Sequence, residues 1–143
     1  MQPTFQIANP EDVEVILMLH AQFFSEIGET ENSLKSDLQD LKLYSAKINS
    51  AVVGYGTLKF SDPVIAYLGW YGVDPKFRQS GIGQAFLDFL ERESRAVGKR
   101  SIELDCRHRF KAALQLYSKN GFETVQTKTA DNGEAIMRLR KVL

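Results

Sequence analysis

The stretch Ile65-Ala-Tyr-Leu-Gly-Trp-Tyr-Gly-Val73 constrains the fold more than any other, because it carries apolar residues on both faces of a strand. A strand of that kind needs cover on both sides and belongs deep in a sheet. Asp74-Pro75 stops it, since Pro75 has no N–H to give to a ladder. A helix then begins near Gly81, with Ile82, Phe86, Phe89, Leu90 and Val97 as its apolar stripe and Gly98 as its end. A buried strand running into an amphipathic helix is the basic step of an α/β layer structure.

The flanking sequence continues the alternation. Thr4 to Ala8 reads as a first strand. Asn9 then caps a helix with Pro10 at its first position, and Val13, Ile16, Leu17, His20, Phe23, Phe24 and Ile27 follow at helical spacing up to Gly28. A more polar helix is predicted from Glu31 to Leu41. Leu43 to Ile48 and Val52 to Phe60 form strands around an Asn49-Ser50 turn. After the central helix comes a strand from Ser101 to Cys106. The next helix shows Phe110, Ala113, Leu114 and Tyr117 on one face and closes at Asn120-Gly121. Two strands, Phe122 to Thr127 and Ala135 to Leu139, join through Asp131-Asn132-Gly133. The order β-α-α-β-β-β-α-β-α-β-β predicts one α/β domain with a mixed sheet over residues 1–143, with no linker to divide it.

A chain of 143 residues has the length of one ordinary domain. Its 18 Lys and Arg balance its 18 Asp and Glu, so no net field draws it to nucleic acid or anionic lipid, and any electrostatic recognition must come from local clusters. No run approaches the roughly 20 apolar residues of a membrane span. Met1 to Ala8 lacks the basic start and apolar run of a signal peptide. The one cysteine, Cys106, excludes an internal disulfide and suits a reducing, cytoplasmic setting. No His, Cys or acidic cluster has the spacing of metal ligands, so no metal is expected.

The segment Tyr71-Gly-Val-Asp-Pro-Lys-Phe-Arg-Gln-Ser-Gly-Ile-Gly-Gln84 carries the chemistry. A buried strand enters a short loop, and the loop opens a helix whose first N–H groups have no partner inside it. Those donors, with the helix dipole, favour an anion. Gly81 and Gly83 remove side chains that would hold a phosphate away from them, and Arg78 adds a forked cation suited to phosphate oxygens. Such a site fits a pyrophosphate. The Lys-Ser/Thr end of a P-loop is absent, and the third glycine of a dinucleotide fingerprint would fall on Phe86, which is too large.

At these residues the sequence resembles the GNAT N-acetyltransferases. Arg78-Gln79-Ser80-Gly81-Ile82-Gly83 matches the family's signature of Gln or Arg, two residues, Gly, one residue, then Gly or Ala. Val73-Asp74-Pro75 matches the usual end of its fourth strand, and Gly54 its third-strand glycine. Ala113-Leu-Gln-Leu-Tyr-Ser-Lys-Asn-Gly-Phe122 matches a second element, A-x-x-L-Y-x-K-x-G-F. The resemblance covers nearly the whole chain. It implies a mixed, mostly antiparallel sheet splayed between the fourth and fifth strands, with acetyl-coenzyme A lying in the gap. It also implies that backbone amides from Gln79 to Gln84, through Ser80, Gly81, Ile82 and Gly83, hold the pyrophosphate. The strand end from Tyr71 to Val73 would pair with the pantetheine arm, the Val73 N–H polarising the thioester carbonyl. Tyr117 would be the general acid that protonates the departing sulfur. The implied activity is direct transfer of acetyl to a primary amine, on a small molecule or a protein, in a ternary complex. A homodimer is common in the family. The competing function is a non-catalytic acyl-CoA-binding or regulatory module, against which Tyr117 argues.

One departure from the family stands at Phe110, where many relatives carry Asn and gain a side-chain contact to the cofactor. The base that takes the amine's proton is open among Asp105, His108, Glu26 and Glu29. Glu26 and Glu29, with Trp70, are candidates for the acceptor side, where carboxylates attract a cationic amine. Arg107, Arg109 and Lys111 are candidates for the 3′-phosphate of coenzyme A, or simply exposed charges. His20, on the packed face of its helix, reads as a buried and satisfied histidine, and nothing in the sequence near Cys106 supplies the base an acyl-cysteine route needs.

Overall fold

The computed structural model describes residues 2–143; Met1, where the reading of the N-terminus starts, lies outside them. Among the described residues seven strands form one sheet: β1 (Thr4–Ile7), β2 (Lys42–Ile48), β3 (Ala51–Lys59), β4 (Ile65–Val73), β5 (Ser101–Arg107), β6 (Glu123–Thr129) and β7 (Ala135–Val142). The same described residues hold four α-helices: α1 (Val13–Phe23), α2 (Glu31–Asp37), α3 (Ile82–Ala96) and α4 (Lys111–Lys119). The strand order is β1-β2-β3-β4-β5-β7-β6, so the strand with two apolar faces, β4, is central. The β4 and β5 strands are parallel, whereas β1–β2, β2–β3, β5–β7 and β6–β7 are antiparallel. The parallel ladder runs from Ile65–Ser101 to Leu68–Leu104.

The chain divides into two compact units. One runs to Lys59 and takes in Trp70–Leu90; the other holds Phe60–Gly69 and Glu91–Leu143. In the first, Ile16, Leu17, Leu34 and Tyr55 are buried together, with Phe23, Phe24, Leu43 and Trp70 packed against them. Phe5 stacks on Phe86 at 5.2 Å between ring centres. In the second, Ala66, Leu68, Ile102, Leu104, Phe122 and Leu139 are buried. Each large apolar side chain so removed from water contributes on the order of 2 kcal/mol.

Local chemistry sets the element ends. Gly98 is left-handed, its N–H reaches Arg95 O, and Lys99 N–H reaches Ser94 O. Gly121 repeats this double closure of a helix after α4, through Gly121 N–H to Ser118 O and Phe122 N–H to Tyr117 O. Asn49 and Ser50 both have positive φ, the conformation a two-residue hairpin loop needs. Three expectations need correction. Helix α1 stops at Phe23, and Gly28 closes a separate 3₁₀ turn, Ser25–Ile27. Asn9 caps by backbone geometry, without a side-chain bond. Val97 lies beyond α3 and is 50% exposed, so it is not part of the buried stripe.

Candidate active site

The loop between β4 and α3 lies wholly in the first unit. Asp74 starts it by accepting a bond from Lys76 N–H (3.0 Å), which turns Pro75–Phe77 into one 3₁₀ turn. The Ser80 hydroxyl then donates to Phe77 O and ties the loop across itself. Gln79 (φ 64°) and Gly81 (φ 86°) are left-handed. Alternation into the left-handed region turns successive N–H groups to one side and makes a concave anion site. A Cβ on Gly81 would meet nothing within 4 Å, so its requirement is conformational and the space in front of it is open. Ala85 N–H donates to Gly81 O (3.0 Å), which sets the start of the helical ladder and leaves Ile82 and Gly83 N–H ahead of it. Ile82 is buried, whereas Arg78, Gln79, Ser80 and Gly81 are exposed. An open rim of main-chain donors anchored by one buried side chain, with a guanidinium at its edge, fits a diphosphate group.

Two contacts brace this loop from behind. The Tyr71 hydroxyl donates to Gly83 O, and its ring packs on Phe86 at 5.6 Å. Burial raises the Tyr71 phenol well above its ordinary range, so it remains a donor. The Gln84 side-chain amide donates to Asp88 (3.1 Å) one turn further along α3. On β4, Trp70 N–H donates to Thr57 Oγ1 (2.8 Å) and Asp74 N–H to Val53 O (2.8 Å). Because N–H groups alternate along a strand, those of Tyr71 and Val73 point to the edge of β4 away from β3.

Glycines allow the backbone to close up at this strand end. A Cβ on Gly54 would stand 2.8 Å from Gly72 O, and one on Gly72 would stand 2.6 Å from Phe23 Cδ2. The resemblance at Gly54 therefore has a steric reason. The Gly72–Phe23 contact was invisible in the sequence, although a glycine inside a buried strand signals a close approach.

The acceptor-side candidates are in the same unit. Trp70 is half-buried, its indole N–H donates to Asp37 (3.3 Å), and its ring meets Phe24 at 4.9 Å and His20 at 4.7 Å. Glu26 is exposed on the 3₁₀ turn. Glu29 lies 2.7 Å from His20 Nε2. His20 is fully buried with both ring nitrogens engaged, as the sequence suggested.

The remaining candidates lie in the second unit. Tyr117 is 5% exposed, its ring meets Phe122 edge-on at 5.5 Å, and its carbonyl accepts from Phe122 N–H. Phe110 stands at the N-terminus of α4. Asp105 is held by Arg138 (2.6 Å), which with Lys128 keeps its carboxyl below the usual carboxylate range. Arg107 and Arg109 both grip Glu134, at 3.1 and 2.5 Å, and Lys111 Nζ is 2.9 Å from the His108 ring. The two arginines are thus committed to a carboxylate. Burial pushes the Cys106 thiol up to about 11, which makes it a poor nucleophile. Among the described residues no three His, Cys, Asp or Glu side chains gather as metal ligands, and no helix is long and apolar enough to cross a membrane.

Solved structures share this architecture end to end. Ard1 from Thermoplasma volcanium is 18% identical, with 100% of this chain and 99% of that one covered at a TM-score of 0.86. The ribosomal-protein-S18-alanine N-acetyltransferase from Escherichia coli is 19% identical, with 99% and 94% covered at 0.84. A GNAT family acetyltransferase from Elizabethkingia anophelis with acetyl-CoA bound is 19% identical, with 99% and 98% covered at 0.79. At such identities the likeness is one of fold. No curated protein matches the chain significantly in sequence. The profile of the acetyltransferase (GNAT) family matches residues 13–122, well over half of the chain. The chain is a member of the acetyltransferase (GNAT) family.

Proposed function

We propose that the protein is a single-domain N-acetyltransferase over residues 1–143, which moves an acetyl group from acetyl-coenzyme A to a primary amine by direct attack in a ternary complex. The observation that carries this reading is the open, left-handed loop at Gln79–Gly83 in front of α3. The main-chain N–H groups of Gln79 to Gln84 hold the diphosphate, and the Arg78 guanidinium neutralises it. The edge of β4 at Tyr71 and Val73 receives the pantetheine arm. Bound there, acetyl-coenzyme A supplies an acetyl group activated as a thioester.

The chain's own groups do the rest. The Val73 N–H is the donor for the acetyl carbonyl, where negative charge grows during attack. The Tyr117 hydroxyl gives its proton to the sulfur as the amine nitrogen bonds the acetyl carbon and the carbon–sulfur bond breaks; the proton that the nitrogen sheds leaves through water, and the phenol is reprotonated from solvent. Glu26 and Trp70 line the acceptor side, and the acceptor is a small-molecule or protein amine. The setting is cytoplasmic, and a homodimer is compatible with this chemistry.

Thiol release from acetyl-coenzyme A across an amine panel tests the reading. Tyr117→Phe should keep coenzyme A affinity within about twofold and lose at least about tenfold in turnover, somewhat below what general acid catalysis ordinarily contributes. Tight cofactor binding with no turnover on any amine would instead favour a binding module, and unchanged turnover in Tyr117→Phe would remove its role.

A further inference from the structure

His20 and Glu29 form a chain that the acetyl-transfer chemistry does not use. Tyr55, in the middle of β3, places its hydroxyl 2.5 Å from His20 Nδ1. His20 Nε2 is 2.7 Å from Glu29 Oε1. Ser33, in the first turn of α2, has its Oγ 2.8 Å from the same Glu29 oxygen and 2.8 Å from Thr30 O. Tyr55 and His20 are fully buried, while the Glu29 side chain is 20% exposed.

The proton positions follow from the partners. Burial, and then the Glu29 charge, raise the Tyr55 phenol far above its ordinary range, so its hydroxyl keeps its proton. A carboxylate only accepts, so the contact with Glu29 places the His20 proton on Nε2 and leaves Nδ1 to accept from the Tyr55 hydroxyl. Burial also lowers His20, despite the opposing pull of Glu29 and Asp37, so the ring is neutral. The result is one fixed tautomer linking β3, α1 and the connection between α1 and α2. One Glu29 oxygen, Oε1, takes bonds from both His20 and Ser33. Phe24 packs on His20 at 5.4 Å, and Trp70 meets it edge-on.

We propose that His20 and Glu29 are positioning residues: the Tyr55–His20–Glu29 chain fixes the segment from Phe24 to Thr30 and the Trp70 ring as the acceptor-side wall, and Glu29 is not the base of the reaction. This inference rests on the acetyl-transfer reading for its kinetic consequence but not for its structural one. Removing the ring leaves Tyr55 and Glu29 facing a buried gap, and the wall loosens without touching the loop that binds the cofactor.

The test uses the full-length enzyme with coenzyme A, an amine identified from the panel, and three variants. His20→Leu should raise the KM for the amine at least about tenfold, with kcat at saturating amine and the affinity for coenzyme A each within about threefold. His20→Gln, whose amide nitrogen reproduces the Nε2 donor, should recover most of that KM. Glu29→Gln still offers an oxygen to His20 and Ser33, and should keep kcat within about threefold with an unchanged pH profile. A collapse of kcat in Glu29→Gln, with loss of the profile's base-dependent limb, would make Glu29 the base and overturn the proposal. An unaltered amine KM in folded His20→Leu would also overturn it. Amide hydrogen exchange of residues 24–30 decides the structural half separately. Faster exchange there in His20→Leu than in the parent supports the proposal, and equal exchange contradicts it. If the parent enzyme acetylates no amine, it is the functional reading that fails, and the exchange result still stands.

Discussion

Two polar clusters, one in each compact unit, are satisfied in opposite ways. The first buries a neutral Tyr55–His20 pair, anchored on Glu29, under the rings of Phe23, Phe24 and Trp70. The second collects ions on one face of its strands: Glu103 and Asp105 of β5 meet Arg138 and Arg140 of β7 and Lys128 of β6, with the Tyr67 ring 5.6 Å from the Arg138 guanidinium. Depth explains the choice. His20 has no exposed surface, and a charge there would lack the solvation that compensates burial. The ionic face is 24–46% exposed at Asp105, Lys128, Arg138 and Arg140, so water shares the task. Glu103, at 6% exposure, is the exception and has two arginines. The cluster around His20 accordingly depends on close fit and the charged face of β5 and β7 on pairing.

That contrast can be broken by substitution. The largest expected effect is Gly54→Val. Its Cβ must displace a main-chain oxygen, Gly72 O, and overpacking of this kind costs about 3 kcal/mol. Urea denaturation should show it as a lower midpoint at unchanged slope; a midpoint equal to the parent's would mean that β3 and β4 do not depend on this approach. Next comes Arg138→Met in the second unit. Glu103 keeps Arg140 and Asp105 keeps Lys128, and the site is partly solvated, so the loss should be about 1–2 kcal/mol. A loss as large as that of Gly54→Val would show that pairing matters as much as fit.

Acid separates the units further. Burial holds folded His20 below the ordinary 6.5, so the unfolded chain takes up this proton first as pH falls. Stability due to His20 is complete above pH 6.5 and declines below it. Asp105 is held below the ordinary 3.8, chiefly by its bond from Arg138, so its contribution declines only below about that pH. Thermal melts from about pH 7 to about pH 3 should therefore lose the upper part of the acid decline in His20→Gln and the lower part in Asp105→Asn. The reverse assignment would contradict the neutral, uncharged state of the buried His20 ring. The smallest effect is a gain: Ser50 adopts φ 71°, a conformation glycine takes without penalty, so Ser50→Gly should stabilise by about 1 kcal/mol and raise Tm by about 2–4 °C. No gain would mean that the turn is relaxed with serine.

What the sequence disclosed and what it hid divide along range. The β4 strand, its stop at Asp74-Pro75, the start of α3 and both glycine helix ends follow from neighbours within a few residues, and the structure has them at those places. The loop's left-handed Gln79 left no mark, since glutamine has no preference for that conformation. The partners of His20 lie 35 and 9 residues away, so burial could be read from helical spacing but Tyr55 and Glu29 could not be named. Arg107 and Arg109 looked available for a phosphate because Glu134 approaches them only through the pairing of β5 with β7. Val97 matched the helical period of α3, but Gly98 ended the helix before that residue could be buried.

The proposed acetyl transfer depends above all on main-chain donors in front of α3 holding the diphosphate of coenzyme A. Amide chemical-shift mapping of the whole protein tests it most directly, with coenzyme A in one titration and pantetheine, which lacks the diphosphate, in the other. A diphosphate held there should give the largest shifts with coenzyme A at the amides of Gln79, Gly81, Ile82 and Gly83, and those shifts should be lost with pantetheine. Saturable binding of coenzyme A that leaves those four amides unmoved would contradict it.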